Sequence, residues 1–355
     1  MDEVSVIGID LAKSVFELCA VSAVGETLWT RRLKRAAFIR FMEERAPRCL
    51  VGLEACGGSH HWGRWLEARG FAVKLMGPRQ VKAYRAGPHK SDARDAAAVA
   101  EAASRPAVKA IRVKSEAAQA VQALARVRAR RTRQLTATSN QLRGLLAEFG
   151  LIAPKGRGAL LKAVAAFKEA GALPEPVRVL IEELAAEVLA QARALVEADK
   201  ALARRVGEDE AALRLMSIPF IGPVNAAGLS VALTAPGDFK DGRAFAACQG
   251  LAPRQDQSGE RDRKTGIPRQ CANDTRANLV CAAQALLTAV GRMEREPEDP
   301  FLAWARALKA RKPRNVAAVA VAAKLARIAW SVAAGGAPYA PRRTQAQLEA
   351  ARPAA

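Results

Sequence analysis

Four acidic side chains stand where their types and spacing would support chemistry. Asp10 ends a short apolar segment at residues 5–10, and Glu54 ends a second one at residues 49–54. Asp92 and Asp95 are three residues apart in an alanine-rich segment, so they would share one face of a helix. Carboxylates held close together repel one another unless cations neutralise them. Two Mg²⁺ ions about 4 Å apart would do so, and such a pair catalyses phosphoryl transfer.

Each acid also has a purely structural interpretation. An Asp at a strand end commonly begins a turn, and Glu54 could lie on the surface where a loop starts. Asp92 would be stabilised by the dipole of the helix that it begins, and Asp95 could pair with Lys90 or Arg94. The metal-site interpretation is favoured because all four acids fall where one fold needs them.

The elements that would position these acids form an α/β pattern. Closely spaced apolar or alternating segments, with a glycine in the second connection, indicate a meander of three strands. Helices and strands then alternate, which predicts a mixed sheet with helices on its faces. In this order the first and fourth strands are neighbours, and the last helix crosses beside them. The predicted strands are 5–10, 15–23, 26–33, 49–54 and 71–76, and the predicted helices are 37–48, 59–69 and 91–103, the last capped by Ser91.

The middle of the chain predicts two long helices, at residues 115–146 and 176–206. Two such helices would form an antiparallel hairpin or a coiled coil. The first is rich in arginine, which either a solvated face or a face toward nucleic acid would explain. The candidate nucleic-acid contacts on it are Arg126, Arg130 and Arg133.

The last third of the chain, residues 213–335, predicts a mostly helical domain. It begins with a helix end, an Ile-Gly-Pro turn and a new helix, the pattern of a helix-hairpin-helix. In that motif Gly222 would let backbone amides approach a phosphate, whereas a plain connector between helices is the alternative. The polar stretch 250–270 predicts an exposed functional loop, and residues 336–355 predict a disordered tail.

The charge of the chain favours a polyanionic partner. Lys and Arg number 56 against 35 acids, a net charge of +21, and phosphate neutralisation makes nucleic acid the first candidate. An acidic membrane surface is the competitor, but there is no signal-peptide pattern, and Lys324 and Arg327 interrupt the apolar stretch 316–334. Six cysteines without a CxxC pair predict free thiols in a reducing cytoplasm.

Several motifs resemble one family of recombinases. The segments IGIDLAKSVFELCAV, VGLEACGGSHHW and HKSDARDAAAVAEAA resemble the DEDD motif of the insertion-sequence one-ten transposases, to which the pilin-gene invertases of the Piv/MooV type are related. The segments SIPFIGPVNAAGL and FKDGRAFAACQGLAPRQDQSGERDRKTGIPRQ resemble the second, transposase domain of that family. The resemblance covers nearly the whole chain in the same order. It implies an RNase-H-like (RuvC-like) nuclease domain at 1–108, a helical coiled-coil region at 109–208 and a C-terminal transposase domain at 209–335.

The resemblance also implies roles for individual residues. Asp10, Glu54, Asp92 and Asp95 would ligate Mg²⁺, as two ions for which Mn²⁺ can substitute. Ser258 would be a nucleophile that forms a phosphoserine ester with DNA. The residues that flank this serine and would clamp phosphates are Arg254, Arg261, Arg263 and Lys264.

The chain departs from the family pattern at two places. Gln257 precedes Ser258 and Glu260 follows Gly259, where many relatives have two small hydroxyl residues and then two glycines. The later Lys-Arg-Gly segment of relatives is PRQCAND here. The first departure affects which residue aligns with the serine of the family. The second affects the phosphate contacts that the Lys-Arg-Gly segment makes in relatives.

The partners implied by the resemblance are the DNA ends of a mobile element and its target DNA. The protein would bind them as a dimer or tetramer. It would act in the cytoplasm and would not bind a membrane. In some members a structured non-coding RNA pairs with both DNAs, and a guide RNA stays open for this chain. The metal ions would lie in the N-terminal domain and Ser258 in the C-terminal domain. A Holliday-junction-type endonuclease and a non-catalytic nucleic-acid-binding protein are the alternative functions.

Overall fold

The computed structural model describes residues 3–85, 91–259, 261–268 and 274–341 of the 355-residue chain. It divides into two compact units, an N-terminal unit (Met1–Ala117) and a C-terminal unit (Ala118–Ala355). The described elements of the N-terminal unit are β1 (Val6–Asp10), β2 (Val15–Val21), β3 (Thr27–Lys34), α1 (Arg35–Glu44), β4 (Leu50–Glu54), α2 (Ser59–Glu67), β5 (Ala72–Met76), α3 (Pro78–Lys82) and α4 (Asp92–Ser104).

The N-terminal unit contains one mixed sheet with the strand order β3-β2-β1-β4-β5. The first three strands form an antiparallel meander, and β4 and β5 run parallel to β1. The prediction that the first and fourth strands are neighbours is confirmed, as is the α/β order of the elements. The short helix α3 was not predicted.

Side chains alternate between the two faces of this sheet. Ile7 and Ile9 of β1 and Leu53 of β4 join the apolar core under α1 and α2, together with Phe38 and Trp62. The opposite face is covered by α4, whose valine and alanines form a second core with residues of β1, β2 and β5. Because strand residues alternate with period two, the residues that flank these isoleucines and this leucine face α4.

Two glycines let α4 lie directly on the sheet. Gly8 of β1 and Gly52 of β4 are partners in the strand register. A Cβ atom on Gly8 would overlap the backbone of Ala96 and Ala100, and one on Gly52 would come within 2.7 Å of the Ala103 Cβ. The helix and the two central strands are therefore closer together than any side chain between them would allow.

The C-terminal unit is helical apart from one β-hairpin in its described residues. Its elements are α5 (Glu116–Glu148, which begins just before the unit boundary), α6 (Arg157–Glu169), α7 (Glu175–Gly207), α8 (Glu210–Met216), α9 (Pro223–Ala232), α10 (Gly242–Cys248), β6 (Gln255–Ser258), β7 (Arg261–Lys264), α11 (Asp274–Val290), α12 (Pro300–Arg311) and α13 (Arg314–Gly335).

The long helices α5 and α7 pack against each other in an antiparallel arrangement. Near the start of α5, Arg128 Nε lies 2.6 Å from Asp199 Oδ1, and further along it Gln191 Nε2 donates to Thr138 Oγ1 at 3.1 Å. Later residues of α5 therefore meet earlier residues of α7. The helix α6, which was not predicted, lies between them in sequence and shares an apolar core with both.

The remaining helices α8 to α13 surround a single apolar core. By length and composition α13 could cross a membrane, and it is the one such helix among the described residues. Its buried residues, which include Val321, Leu325 and Val332, belong to that core together with Leu286 of α11 and Phe245 of α10. The packing of α13 is that of a core helix.

Two predictions for this unit differ from the structure. The stretch 250–270, predicted as a loop, contains the hairpin of β6 and β7, although every described residue of β6 is exposed. The predicted disordered tail begins with an ordered segment, because the Tyr339 amide donates to Ser217 Oγ at 2.7 Å and its hydroxyl donates to Asp299 Oδ2 at 3.0 Å. The rest of the tail, 342–355, lies outside the described residues.

The close approach of α4 leads to a prediction about stability. We expect Gly8→Ala to lower the free energy of unfolding by at least about 2 kcal/mol, because its new methyl group must displace helix backbone. Urea denaturation followed by circular dichroism measures this change. Gly57→Ala is the matched control, since nothing lies within 4 Å of its Cβ position. Equal stability of the two variants would contradict the tight contact.

Candidate functional site

The ends of β1 and β4 place two acids side by side. Asp10 and Glu54 follow Ile9 and Leu53, which are partners in the parallel register. Because Ile9 and Leu53 face the α1 and α2 side, Asp10 and Glu54 face α4 by the alternation of the strands. Both carboxylates therefore lie at the same end and on the same face of the sheet.

The first turn of α4 lies at this end of the sheet. Ser91 caps the helix by accepting from the Arg94 amide at 3.4 Å, which confirms its predicted role. At the opposite end of α4, Glu101 Oε2 lies 3.9 Å from the Cβ position of Gly25, in the β2–β3 connection beside the start of the sheet. The helix α4 therefore runs antiparallel to β1. It brings buried Asp95 toward the strand ends, whereas Asp92 is exposed.

One guanidinium group joins two of the predicted acids. Arg85 Nε lies 3.0 Å from Asp95 Oδ1, and Arg85 Nη2 lies 3.3 Å from Glu54 Oε2. These distances bring Asp95 and Glu54 together around a single cation. Arg85 was missed in the sequence, since nothing in its local pattern distinguishes it from the other arginines. Lys90, which was predicted as a partner of Asp95, lies outside the described residues.

A further buried acid lies beside Asp10. Glu17 of β2 is the register partner of Asp10 and lies on the same face of the sheet, since its neighbours Phe16 and Leu18 belong to the opposite core. Its side chain is buried and pairs with Arg32 Nε at 3.3 Å. The signal in the sequence was a charged residue inside an otherwise apolar strand.

Cys56 reports on the electrostatics of this region. Burial raises the pKa of its thiol, and the negative charges of Glu54 and Asp10 raise the pKa further. A thiol that senses both carboxylates must lie near both, which agrees with their common position at the strand ends. The described cysteines Cys19, Cys49, Cys56, Cys248 and Cys281 are free thiols, and Cys271 lies outside the described residues.

The donor chemistry of this edge fits a divalent cation, although the described side chains are not arranged around one. Within the described ranges, no three His, Cys, Asp or Glu side chains form a group that could hold a metal ion. Carboxylate oxygens are nevertheless the ligands that Mg²⁺ and Mn²⁺ prefer. Arg85 already places positive charge between Glu54 and Asp95. The site has the right oxygens and attracts a cation.

Ser258 lies in the hairpin of the C-terminal unit. It is the last residue of β6, is exposed and pairs in register with Arg261 of β7. Gly259 follows with φ of 57°, a left-handed conformation that tight hairpin turns require. Arg254 and Arg263 are exposed nearby, whereas nothing is described of Glu260 or of the side chains of Arg261 and Lys264.

The arginines of α5 divide into two groups. Arg128 pairs with Asp199, and Arg131 Nη1 donates to the Ala194 carbonyl at 2.5 Å, so both support the contact with α7. The predicted nucleic-acid contacts Arg126, Arg130 and Arg133 are exposed, and their spacing places them on one helix face. Of these, Arg133 also pairs with Asp274 at 3.2 Å.

The predicted Ile-Gly-Pro turn lies between α8 and α9. Gly222 is the N-cap residue of α9 in an extended conformation, and Pro223 begins the helix as predicted. The unusual backbone here belongs to Phe220, whose φ is 65° and whose side chain is partly exposed. The turn leaves the amides of the first turn of α9 at a helix N-terminus, where an anion is stabilised.

An α/β unit with an acidic sheet edge, followed by a basic helical unit, is typical of enzymes that act on nucleic acid. A family model described as a transposase of the DEDD IS110 type matches residues 7–150, and one described as the transposase IS116/IS110/IS902 family matches residues 212–296. The chain belongs to this transposase family. It is accordingly an enzyme that cuts and rejoins DNA.

Curated relatives match along almost the full chain. A probable family 20 transposase of Pseudomonas aeruginosa is 39% identical over 330 residues, which cover 92% of this chain and 96% of the relative. The transposase for insertion sequence element IS1111A of Coxiella burnetii is 34% identical over 335 residues, 94% of this chain and 90% of the relative. The transposase for element IS1328 of Yersinia enterocolitica is 33% identical over 336 residues, 95% and 98% respectively.

The position of Cys56 gives a test of the acidic cluster that does not depend on activity. We expect Asp10→Asn and Glu54→Gln each to speed alkylation of Cys56 by iodoacetamide at pH 8 roughly twofold to fivefold, because removing a negative charge lowers the thiol pKa. Peptide mapping by mass spectrometry measures the rate at this cysteine. Glu43→Gln, whose carboxylate pairs with Arg69, is the control and should leave the rate unchanged. Unchanged rates in all three variants would place the acids away from Cys56.

Proposed function

We propose that this transposase cuts and rejoins DNA with a divalent-metal site formed by Asp10, Glu54, Asp92 and Asp95, and with Ser258 as the nucleophile. The observation that carries the metal site is the common position of Glu54 and Asp95 around one guanidinium, with Asp10 beside them. Mg²⁺ is the proposed ion, and Mn²⁺ would substitute for it. Bound there, divalent cations would polarise the scissile phosphate and stabilise its developing charge.

The carboxylates would act by holding the metal ions in fixed positions with their negative charge. Asp10 and Glu54 are fixed by the strand register, and Asp95 by a helix that is seated on two glycines. Asp92, exposed one turn earlier in α4, would supply a further carboxylate. Rigid strand and helix positions suit a metal site, because its ligands must be held close to one geometry.

The Ser258 hydroxyl would attack a phosphorus atom of the DNA backbone. A bond forms between Ser258 Oγ and phosphorus, the bond from phosphorus to one strand-end oxygen breaks, and that oxygen takes up the proton. Attack by a strand-end hydroxyl on the phosphoserine reverses these changes and restores the serine. The exposure of Ser258 supports this role, since a duplex can approach it. The exposed Arg254 and Arg263 would contact phosphates near it.

DNA is the partner that the charge and the family support. The net charge of +21 and the exposed face of Arg126, Arg130 and Arg133 favour phosphate contacts. A junction-resolving endonuclease would share the acidic edge but would need neither Ser258 nor the C-terminal unit that the second family model matches. We therefore favour the recombinase over this alternative.

The metal site is tested by removing one acid at a time. We expect Asp10→Asn to lower strand cleavage of a supercoiled plasmid carrying the element's ends by at least about 100-fold, because a charge-stabilising group is lost. DNA binding measured by gel shift should be unchanged. Nuclease-treated protein, assayed with and without added element RNA, shows whether cleavage also needs a guide. Cleavage by Asp10→Asn at the wild-type rate would reject the metal-site assignment.

The nucleophile is tested by trapping the covalent intermediate. After denaturation, wild-type protein incubated with labelled DNA should give a protein–DNA adduct whose DNA-linked peptide contains Ser258. We expect no adduct from Ser258→Ala, because no other hydroxyl takes its position. Gln257→Ala, from the same exposed strand, is the control that should keep the adduct. Full recombination by Ser258→Ala would instead assign water as the nucleophile.

A further inference from the structure

Arg85 occupies a special place in the acidic edge. Its guanidinium spans Asp95 Oδ1 at 3.0 Å and Glu54 Oε2 at 3.3 Å, so it binds one acid from the sheet and one from α4. The two acids are otherwise carried by separate elements of the fold. Arg85 follows α3, and its amide donates to the Lys82 carbonyl at 3.3 Å, so the end of that short helix positions it.

The burial of its partners makes this cation necessary. The side chain of Asp95 is only 8% exposed and that of Glu54 is 22% exposed. A carboxylate so far from water is unfavourable without a partner, and two of them close together repel. Arg85, which is 33% exposed and cannot lose its charge, contacts both carboxylates and offsets part of their combined negative charge.

A divalent ion at this site would bind the carboxylates of the same two residues, Glu54 and Asp95. Mg²⁺ and Mn²⁺ bind carboxylate oxygens at about 2.1 Å, so an ion bound to both residues would lie close to the guanidinium, and like charges held close together repel. The guanidinium and the metal ion therefore compete for Glu54 and Asp95.

We propose that Arg85 is the built-in counter-cation of the acidic site, which holds Glu54 and Asp95 together before a metal ion binds and which the metal ion must displace. The proposal rests on the proposed metal site. It assigns Arg85 a positioning role and makes it a determinant of metal affinity. In the metal-free protein the arginine reduces the repulsion between the two carboxylates. It also lowers the affinity for the metal ion, because its two contacts must be broken before the ion binds.

The test measures metal binding by the full-length protein without DNA. Mn²⁺ is titrated into apo protein and followed by calorimetry and by the electron paramagnetic resonance signal of free Mn²⁺. We expect Arg85→Gln to bind Mn²⁺ about threefold to tenfold more tightly than wild type, because two partly exposed ion pairs no longer compete. In EDTA the same variant should have a lower melting temperature, and Mn²⁺ should raise it by more than in wild type.

Two variants separate competition from loss of structure. Arg85→Lys keeps the positive charge but cannot span both acids, so its Mn²⁺ affinity should lie between wild type and Arg85→Gln. Arg69→Gln is the matched control, because Arg69 is also 33% exposed and pairs with a carboxylate, Glu43, but lies with the α1 and α2 side of the sheet. Its Mn²⁺ affinity should equal that of wild type.

The possible results distinguish this proposal from the metal site itself. Equal or weaker Mn²⁺ binding by Arg85→Gln, with wild-type binding abolished by Asp10→Asn, would overturn the role of Arg85 and leave the metal site standing. Absence of Mn²⁺ binding in both wild type and Arg85→Gln would overturn both. Tighter binding in Arg85→Gln, with Arg69→Gln unchanged, supports both.

Discussion

The contact between α4 and the two central strands is the constraint on which the candidate site depends. Gly8 and Gly52 are partners in the register of β1 and β4, and α4 lies directly on both of them. The acids follow two residues after each glycine on the same face of their strands. The distance between the helix acids and the strand acids is therefore set by backbone packing, which is stiffer than any arrangement of side chains.

This rigid packing brings several carboxylates close together, and arginine side chains offset part of their negative charge. Arg85 compensates Glu54 and Asp95, and Arg32 compensates Glu17 beside Asp10. Both arginines approach from the solvent side, where their guanidinium groups stay partly hydrated.

The sequence predicted the elements of the N-terminal unit because their signals are local. Apolar strands that end in an acid and a helix capped by Ser91 are visible in short windows, and the structure confirms them. The hairpin of β6 and β7 was missed because both strands consist of polar residues, so they lack the alternation that identifies a strand. Helix α6 was missed because two loop signals flank it.

Local sequence patterns could not predict which other charged residues lie beside the four acids. Arg85 and Glu17 come to the acids through strand register and through the end of α3, which are tertiary features. The four acids themselves were identified by their positions at element ends, and the family match lends weight to that choice. Spacing alone could not assign them as metal ligands, because no pattern of spacing specifies side-chain geometry.

The hairpin that carries Ser258 has a thermodynamic consequence of its own. Two strands of four residues, with β6 wholly exposed, bury almost no apolar surface and are held mainly by ladder hydrogen bonds. A ribbon of this kind is marginally stable in water, so its shape is governed by whatever it touches. In its proposed role as nucleophile, the Ser258 hydroxyl would be firmly oriented only when a larger surface supports the ribbon, so contact with the DNA would become a condition for its attack.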